Sequence, residues 1–238
     1  SESSNVGKWG GFTLSWYEQF IDSSNARNAL ENSIKIAIVV TIISVILGTM
    51  SALALERFTF KGKRVFDALL YLPIIIPDVT MAVMLLLFFG EFFEILDNLF
   101  GLQLRKGFWS ISISHIAFNI SFVSVVVRAR LAGMSTDLEE AAVDLYASRW
   151  KAFRHVTFPQ ILPGIAGGAL LAMTLSLDDV VITQFVAGPG WTTLPVYVFG
   201  LIRKGVTPLI NSISVIMLVS SMLLVGLSLL AERTRRGG

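Results

Sequence analysis

Three aspartates lie within stretches of the sequence that are otherwise almost entirely apolar. Asp78 follows Y-L-P-I-I-I-P, and Asp178 and Asp179 stand side by side in T-L-S-L-D-D-V-V. A carboxylate at the centre of a membrane span costs about 2.5–3.5 kcal/mol on insertion scales, so it needs a partner, a cavity or free backbone amides. Two interpretations follow: an acidic path for a cation, or polar contacts between helices, in which Asp78 caps a helix that restarts after Pro77.

Neighbouring positions on a helix point about 100° apart, so Asp178 and Asp179 cannot both face one pore. We expect one of them to line a path and the other to bond a donor or the backbone. His115 lies four residues before Asn119 in another apolar segment. We interpret His115 as a hydrogen-bonded packing residue, because the sequence holds no nearby His or Cys that would complete a metal site. We therefore expect no metal site in this chain.

The elements that carry these residues belong to a membrane protein. Of the 238 residues, 54% are hydrophobic and 15% are charged, whereas soluble domains carry about 25% charged residues. A membrane span needs about 20 apolar residues, and the sequence predicts five such spans, at roughly 33–55, 65–90, 108–128, 161–187 and 209–231. This pattern predicts an all-α polytopic membrane protein. Pro73 and Pro77 should kink or break the second span.

The distribution of Lys and Arg predicts the orientation. Of the 19 such residues, twelve fall in connections on one side of the spans and seven on the other, so the first side is expected to be cytoplasmic. This assignment places the external N-terminal segment at 1–32, the transmembrane domain at 33–231, its main cytoplasmic loop at 129–160 and a cytoplasmic tail at 232–238. The basic residues lie in short loops and form no aromatic-laced patch, so we expect a lipid membrane and no nucleic acid as a partner.

A charge-rich passage at 135–163 lies between two apolar segments. Thr136 and Glu139 have the T-x-x-E spacing of a capping box, which predicts a short helix beginning there. Ser148 should cap a second short helix. Pro159 and Pro163 should close the passage. A helix this short has little reason to fold alone. We expect a partner surface to supply the missing contacts.

This passage resembles the EAA loop of ABC-importer permeases, in which E-A-A is followed by three residues, Gly, nine residues and I-x-L-P. Glu140, Ala141 and Ala142 match E-A-A, and Phe158-Pro159 stands for Leu-Pro. Tyr146 replaces the Gly that would give a left-handed C-cap. Because Tyr in that conformation costs about 1–2 kcal/mol, we expect the helix to end by another route.

The resemblance implies that the loop docks on a cytoplasmic ATPase. The residues expected to couple the two proteins are Glu139, Glu140, Ala141, Ala142, Leu145, Tyr146 and Pro159.

Two further segments narrow the resemblance: L-S-L-D-D-V-V-I-T-Q-F-V-A-G-P-G and L-P-V-Y-V-F-G-L-I-R-K-G-V-T-P-L-I-N-S-I-S. They are similar to the permeases of spermidine/putrescine ABC importers. This implies a polyamine cargo, a second related permease, a pair of ATPases and an external binding protein, in a bacterial inner membrane. Asp78, Asp178 and Asp179 would line the substrate path. The resemblance also implies one more span ahead of residue 1, which we expect this sequence to lack.

No G-x-x-x-x-G-K-[ST] motif occurs in the sequence, so we expect no enzymatic activity and no cofactor in this chain. ATP and Mg²⁺ would belong to the partner ATPase. One alternative is an ABC permease for another small solute, such as a metal ion or an oxyanion. A second is an ion-coupled secondary carrier, which broken helices and buried carboxylates also suit. A third, an intramembrane aspartyl protease, is disfavoured because Asp178 follows Leu177 and lacks a G-x-G-D context.

Overall fold

The chain is helical, as predicted. A computed structural model describes residues 11, 13–205, 208–216, 218, 219 and 222, and these residues contain no strand. The helices are α1 (Ser15–Asp22), α2 (Ser24–Arg57), α3 (Lys63–Ile75), α4 (Asp78–Phe100), α5 (Phe108–Ala132), α6 (Asp137–Asp144), α7 (Arg149–Ala152), α8 (Phe158–Asp178), α9 (Val181–Val186) and α10 (Leu194–Lys204), with a π-helical turn at Phe153–Thr157.

The second predicted span is two helices. α3 ends at Ile75, Ile76 adopts an extended conformation, and α4 begins directly after Pro77. The expected break therefore falls at Pro77, whereas Pro73 lies inside α3. α4 continues to Phe100, and its 23 residues are long and apolar enough to cross a membrane without α3.

The fourth predicted span also breaks, which the sequence analysis did not foresee. α8 ends at Asp178, Asp179 is extended, and α9 is a separate helix. The segment that follows α9 in the chain contains a further helix, α10. Of the fifth predicted span, the structure describes 209–216, 218, 219 and 222, which are helical; the remainder lies outside the described residues.

Pro159 does not close the charge-rich passage, contrary to expectation. Arg149–Asp178 is one continuous helical run of 30 residues, and Pro163 also lies within it. The π-helical turn ends at Thr157, two residues before Pro159. A π turn changes the hydrogen-bond spacing of the backbone. It therefore accommodates a residue that has no amide hydrogen to donate.

Four helical runs are long and apolar enough to cross a membrane, counted over the residues the structure describes. They are Ser24–Arg57, Asp78–Phe100, Phe108–Ala132 and Arg149–Asp178. The first of them begins well before position 33, where the first span was expected to start.

The chain divides into two compact units. The larger, Asn32–Thr192, contains the candidate functional residues. One of its cores joins α2, α4, α5 and α9 through Ile36, Phe89, Ile111 and Ile182. The smaller unit combines Ser1–Glu31 with Thr193–Gly238, and its described core includes Phe20, Ala26, Ala29, Leu194, Leu209 and Ile213.

Small residues, Gly48 and Gly168, allow the spans of the larger unit to pack closely. A Cβ added at Gly48 would lie 2.7 Å from the Cβ of Val123, and one at Gly168 would lie 3.2 Å from its Cγ1. Val123 on α5 is fully buried. Two glycines on different helices therefore make room for one valine, the close approach typical of membrane helices.

Candidate functional site

Asp179 holds the break between α8 and α9 together. One carboxylate oxygen accepts hydrogen bonds from the backbone amide and the hydroxyl of Thr183, both at 2.7 Å, and the other accepts from the amide of Ile182 at 3.3 Å. These amides belong to the first turn of α9, where backbone donors lack helical partners. Asp179 therefore caps α9, the backbone role expected for one of the two adjacent aspartates.

His115 ties this cap to α5. The imidazole is fully buried; its Nδ1 lies 2.9 Å from the hydroxyl of Ser176, and its Nε2 lies 3.2 Å from Asp179 and 3.0 Å from the hydroxyl of Thr183. Both ring nitrogens are therefore within hydrogen-bond distance of residues in α8, α9 or the break between them. This agrees with the interpretation of His115 as a hydrogen-bonded packing residue.

Asp78 and Asp178 are placed differently from Asp179. Both are exposed, and among the described residues neither carboxylate makes a side-chain hydrogen bond or an ion pair. Asp178 lies close enough to Asp78, Asp179 and His115 to interact with each electrostatically. The three predicted path residues thus lie near one another at two helix breaks, and two of them have carboxylates without a side-chain partner among the described residues.

No three His, Cys, Asp or Glu side chains converge as a possible metal site in the part of the chain that the structure describes. Among the described residues, the helix breaks therefore carry negative charge but no group of side chains arranged to ligate a metal ion. Such an arrangement can attract a cation by charge rather than coordinate it.

The end of α6 adopts the conformation that Tyr146 was expected to avoid. Tyr146 has a φ of 63°, in the left-handed region. Its amide donates to the carbonyl of Val143 at 2.9 Å, and the amide of Ala147 donates to the carbonyl of Ala142 at 3.0 Å. These two bonds define a Schellman motif. The expectation of another route was wrong, because the motif satisfies two carbonyls that would otherwise lack partners.

The predicted capping box at the start of α6 does not form. α6 begins at Asp137, as expected. Thr136, the residue before it, has right-handed helical backbone angles, and its side chain accepts no cap bond. Glu139 instead accepts a hydrogen bond from the hydroxyl of Thr157 and pairs with Arg57 at 3.2 Å. The second predicted cap is present, since Ser148 accepts from the amide of Lys151 at 3.3 Å.

The two adjacent glutamates of α6 therefore face different surroundings. Glu139 is half-buried against Arg57 and Thr157, whereas Glu140 is exposed and has no side-chain partner among the described residues. Of the other residues expected to couple this chain to an ATPase, Ala141, Leu145, Tyr146 and Pro159 are exposed and Ala142 is half-buried.

Large apolar side chains are exposed in the loop that carries Glu140. Leu145 is 82% exposed, Tyr146 is 99% exposed, and Trp150 is 68% exposed and stacked on Phe153. An apolar patch in a polar loop is typical of a protein contact surface. We call these three side chains the loop patch.

A second set of ion pairs fixes the helix ends next to the loop. Arg128 near the end of α5 contacts Glu56 on α2 at 2.9 Å and Asp67 on α3 at 2.5 Å. Together with the pair between Arg57 and Glu139, these contacts join α2, α3, α5 and α6.

No functional role was predicted for Arg57, Thr157, Ser176 or Thr183. The first three have their partners on other helices, so sequence spacing carried no signal for them. Thr183 pairs with His115 on another helix and also with Asp179, four residues before it in the chain.

These features define a class: a polytopic helical membrane protein whose spans break at acidic residues and whose loop presents an exposed helix. The chain belongs to the family of binding-protein-dependent transport system inner membrane components, whose model matches residues 44–233.

Sequence relatives fall within the same class. The chain is 36% identical to the spermidine/putrescine transport system permease protein PotC of Escherichia coli K12, over 97% of this chain and 83% of that protein. It is 38% identical to the putrescine transport system permease protein PotI of the same strain, over 92% of this chain and 76% of that protein. It is 31% identical to a putative 2-aminoethylphosphonate transport system permease, PhnV of Salmonella typhimurium LT2, over 82% of this chain and 70% of that protein.

Solved structures share the fold. A bacterial ABC transporter that imports the acidic polysaccharide alginate matches with a TM-score of 0.78 at 18% identity, over 96% of this chain and 85% of that one. An amino acid ABC transporter matches with a TM-score of 0.65 at 18% identity, over 94% of this chain and 100% of that one. Membership of a binding-protein-dependent transport family sets aside the alternatives of an ion-coupled carrier and an intramembrane protease.

Proposed function

We propose that this chain is a permease subunit of an ABC importer that moves polyamines across the bacterial cytoplasmic membrane. The observation that carries the proposal is the pair of exposed carboxylates, Asp78 and Asp178, at two neighbouring helix breaks. A polyamine is a flexible polycation, and negative charge within a membrane span attracts such a cargo. The relatives named as spermidine and putrescine permeases support the same cargo.

A pair of cytoplasmic ATPases would drive the transport. The loop offers them the exposed Glu140 of α6 and the loop patch. The Lys and Arg distribution predicts that this loop is cytoplasmic. ATP and Mg²⁺ would be bound by these partners, and this chain would perform no catalysis. Closure of the ATPases would move α6 as a rigid body and select between two packings of the helices.

Two further partners belong to the proposal: a second, related permease subunit and an external substrate-binding protein. The family name itself refers to transport that depends on a binding protein. A solved alginate transporter whose permease shares this fold was crystallised with its substrate-bound periplasmic protein.

A different small solute, such as a metal ion or an oxyanion, is the competing cargo. One relative is named as a putative permease for 2-aminoethylphosphonate, which has both an amine and a phosphonate. An anion would be poorly served by two free carboxylates at the helix breaks, because like charges repel.

Uptake of labelled spermidine, putrescine and 2-aminoethylphosphonate into vesicles containing the assembled importer tests the proposal. We expect ATP-dependent uptake of a polyamine and co-purification of an ATPase with this chain. Uptake of the phosphonate alone would overturn the cargo. Purification without any ATPase, under conditions that retain the second permease, would overturn the mechanism.

A further inference from the structure

A basic and aromatic cavity lies where the segment between α4 and α5 meets the segment that follows α9. Its volume is about 500 Å³, and its lining includes Arg105, Lys106, Phe108, Trp109 and Trp191. It belongs to neither the helix breaks nor the loop patch.

The cavity carries unopposed positive charge. No acidic side chain lines it, and among the described residues neither Arg105 nor Lys106 takes part in an ion pair or a side-chain hydrogen bond. Two basic side chains on adjacent residues would repel each other unless an anion lies between them. The charge of the cavity therefore suits an anionic ligand.

The walls of the cavity are held in place by close packing. The backbone of Gly188 lies against Lys106, since a Cβ added at Gly188 would approach the Lys106 carbonyl oxygen to 1.8 Å. The rings of Phe108 and Trp191 lie 5.2 Å apart. The side-chain amide of Asn32 donates to the carbonyl of Gly190 at 3.0 Å. The site is thus largely preformed, which lowers the entropic cost of binding.

The cavity is flanked by exposed apolar side chains. Leu102 and Leu104, which precede it, are 48% and 46% exposed, and Trp109 at its edge is 65% exposed. The segment joins the ends of two candidate membrane spans, α4 and α5. Tryptophan and basic side chains at the ends of spans are typical of the headgroup layer of a bilayer.

We propose that this cavity binds the phosphate of a membrane phospholipid. Arg105 and Lys106 would pair with the phosphate, and Trp109 and Trp191 would contact the glycerol and the upper acyl chains. An acidic protein surface has the same charge, but it would leave Leu102 and Leu104 facing water. A lipid covers the apolar and the basic residues together.

Native mass spectrometry of the assembled transporter, delipidated and titrated with dioleoylphosphatidylglycerol, tests this site. The variant combines Arg105→Gln with Lys106→Gln. The matched control, Arg105→Lys with Lys106→Arg, keeps both charges in place. We expect the affinity for the tightest-bound lipid to fall at least about ten-fold in the first variant, because each basic residue near a membrane surface contributes to lipid binding. The control should retain it, and both should keep the thermal stability of the parent.

Three results would overturn the proposal. The first is equal lipid affinity in the neutral variant and the parent. The second is complete displacement of the lipid by inorganic phosphate, which would make the ligand a free anion. The third is unchanged lipid binding with weakened binding of the external binding protein, which would make the cavity a protein contact. If the double variant does not assemble, Arg105→Gln alone is measured against Arg105→Lys.

Discussion

Arg57 at the end of α2 and Glu139 on α6 form an ion pair, with Nη2 and Oε1 3.2 Å apart. Both side chains are partly buried, and Glu139 also accepts a hydrogen bond from Thr157 next to α8. The exposed loop helix is therefore fastened to two spans by one carboxylate, while its neighbour Glu140 is free to meet a partner. A movement of α6 can therefore be transmitted to α2 through this ion pair.

Loss of this ion pair should weaken coupling more than folding. A partly exposed pair contributes about 0.2–1 kcal/mol to stability, so Glu139→Gln should change the melting temperature little. If Arg57 transmits movement of α6 to α2, the variant should import less cargo for each ATP hydrolysed. The measurement is the ratio of uptake to ATPase activity in vesicles containing the assembled importer.

A charge reversal provides the control for that experiment. Arg57→Glu combined with Glu139→Arg restores an ion pair of the opposite polarity, and it should recover the ratio better than either single reversal. Glu140→Ala should behave differently, because the Glu140 side chain makes no hydrogen bond or ion pair with another described residue, so the substitution would act on the ATPase contact. Equal ratios in the parent and Glu139→Gln would contradict the role of the pair.

Tyr146→Gly should change the stability of α6 and the binding of the ATPase in opposite directions. A non-glycine residue in the left-handed conformation costs about 1–2 kcal/mol, and Gly relieves that strain. Tyr146→Gly should therefore stabilise the helix end while removing a side chain that is 99% exposed. We expect weaker binding of the ATPase, measured as the amount retained on the purified permease.

Tyr146→Phe keeps the ring and the strain, so it should bind the ATPase as the parent does. Tighter ATPase binding by Tyr146→Gly than by Tyr146→Phe would show that the ring is not a contact.

Substitutions of the adjacent residues Asp178 and Asp179 should have different effects on stability. Asp179→Ala removes the cap of α9 and leaves the buried His115 short of a partner, which should destabilise the protein by about 1–3 kcal/mol. Asp178→Ala removes an exposed carboxylate and should change stability by less than about 0.5 kcal/mol. Thermal melting of the detergent-purified protein measures both.

Polyamine uptake supplies the second half of this comparison. Asp178→Ala should lower uptake at unchanged stability, if the carboxylate lines the path. Normal uptake by both Asp178→Ala and Asp78→Ala would remove the acidic path from the proposal.

Close packing at Val123 should make Gly48 intolerant of a side chain. The added methyl group of Gly48→Ala would lie 2.7 Å from Val123 Cβ, and such overpacking costs about 1–3 kcal/mol. Gly90→Ala is the matched control, since nothing lies within 4 Å of its added Cβ. Val123→Ala should partly rescue Gly48→Ala. A similar loss of melting temperature in Gly48→Ala and Gly90→Ala would refute the packing argument.

The sequence alone determined the membrane class, the all-α fold, the break at Pro77 and the helix that begins at Asp137. The first three rest on apolar length or on a missing amide hydrogen. The helix start was predicted from the T-x-x-E spacing of a capping box that does not form. The E-A-A pattern also pointed to the family, because it is carried by contiguous residues.

Tertiary structure alone decided which of the adjacent acidic residues are free. Asp179 is engaged by His115 from another helix, and Glu139 by Arg57, while Asp178 and Glu140 remain exposed. Neighbouring residues in a chain look alike in sequence, yet their surroundings depend on which helices pack beside them. The break after Asp178 escaped prediction because no proline marks it. Asp179 is held there by the nearby Ile182 and Thr183 and also by His115 on another helix, a contact that only folding creates.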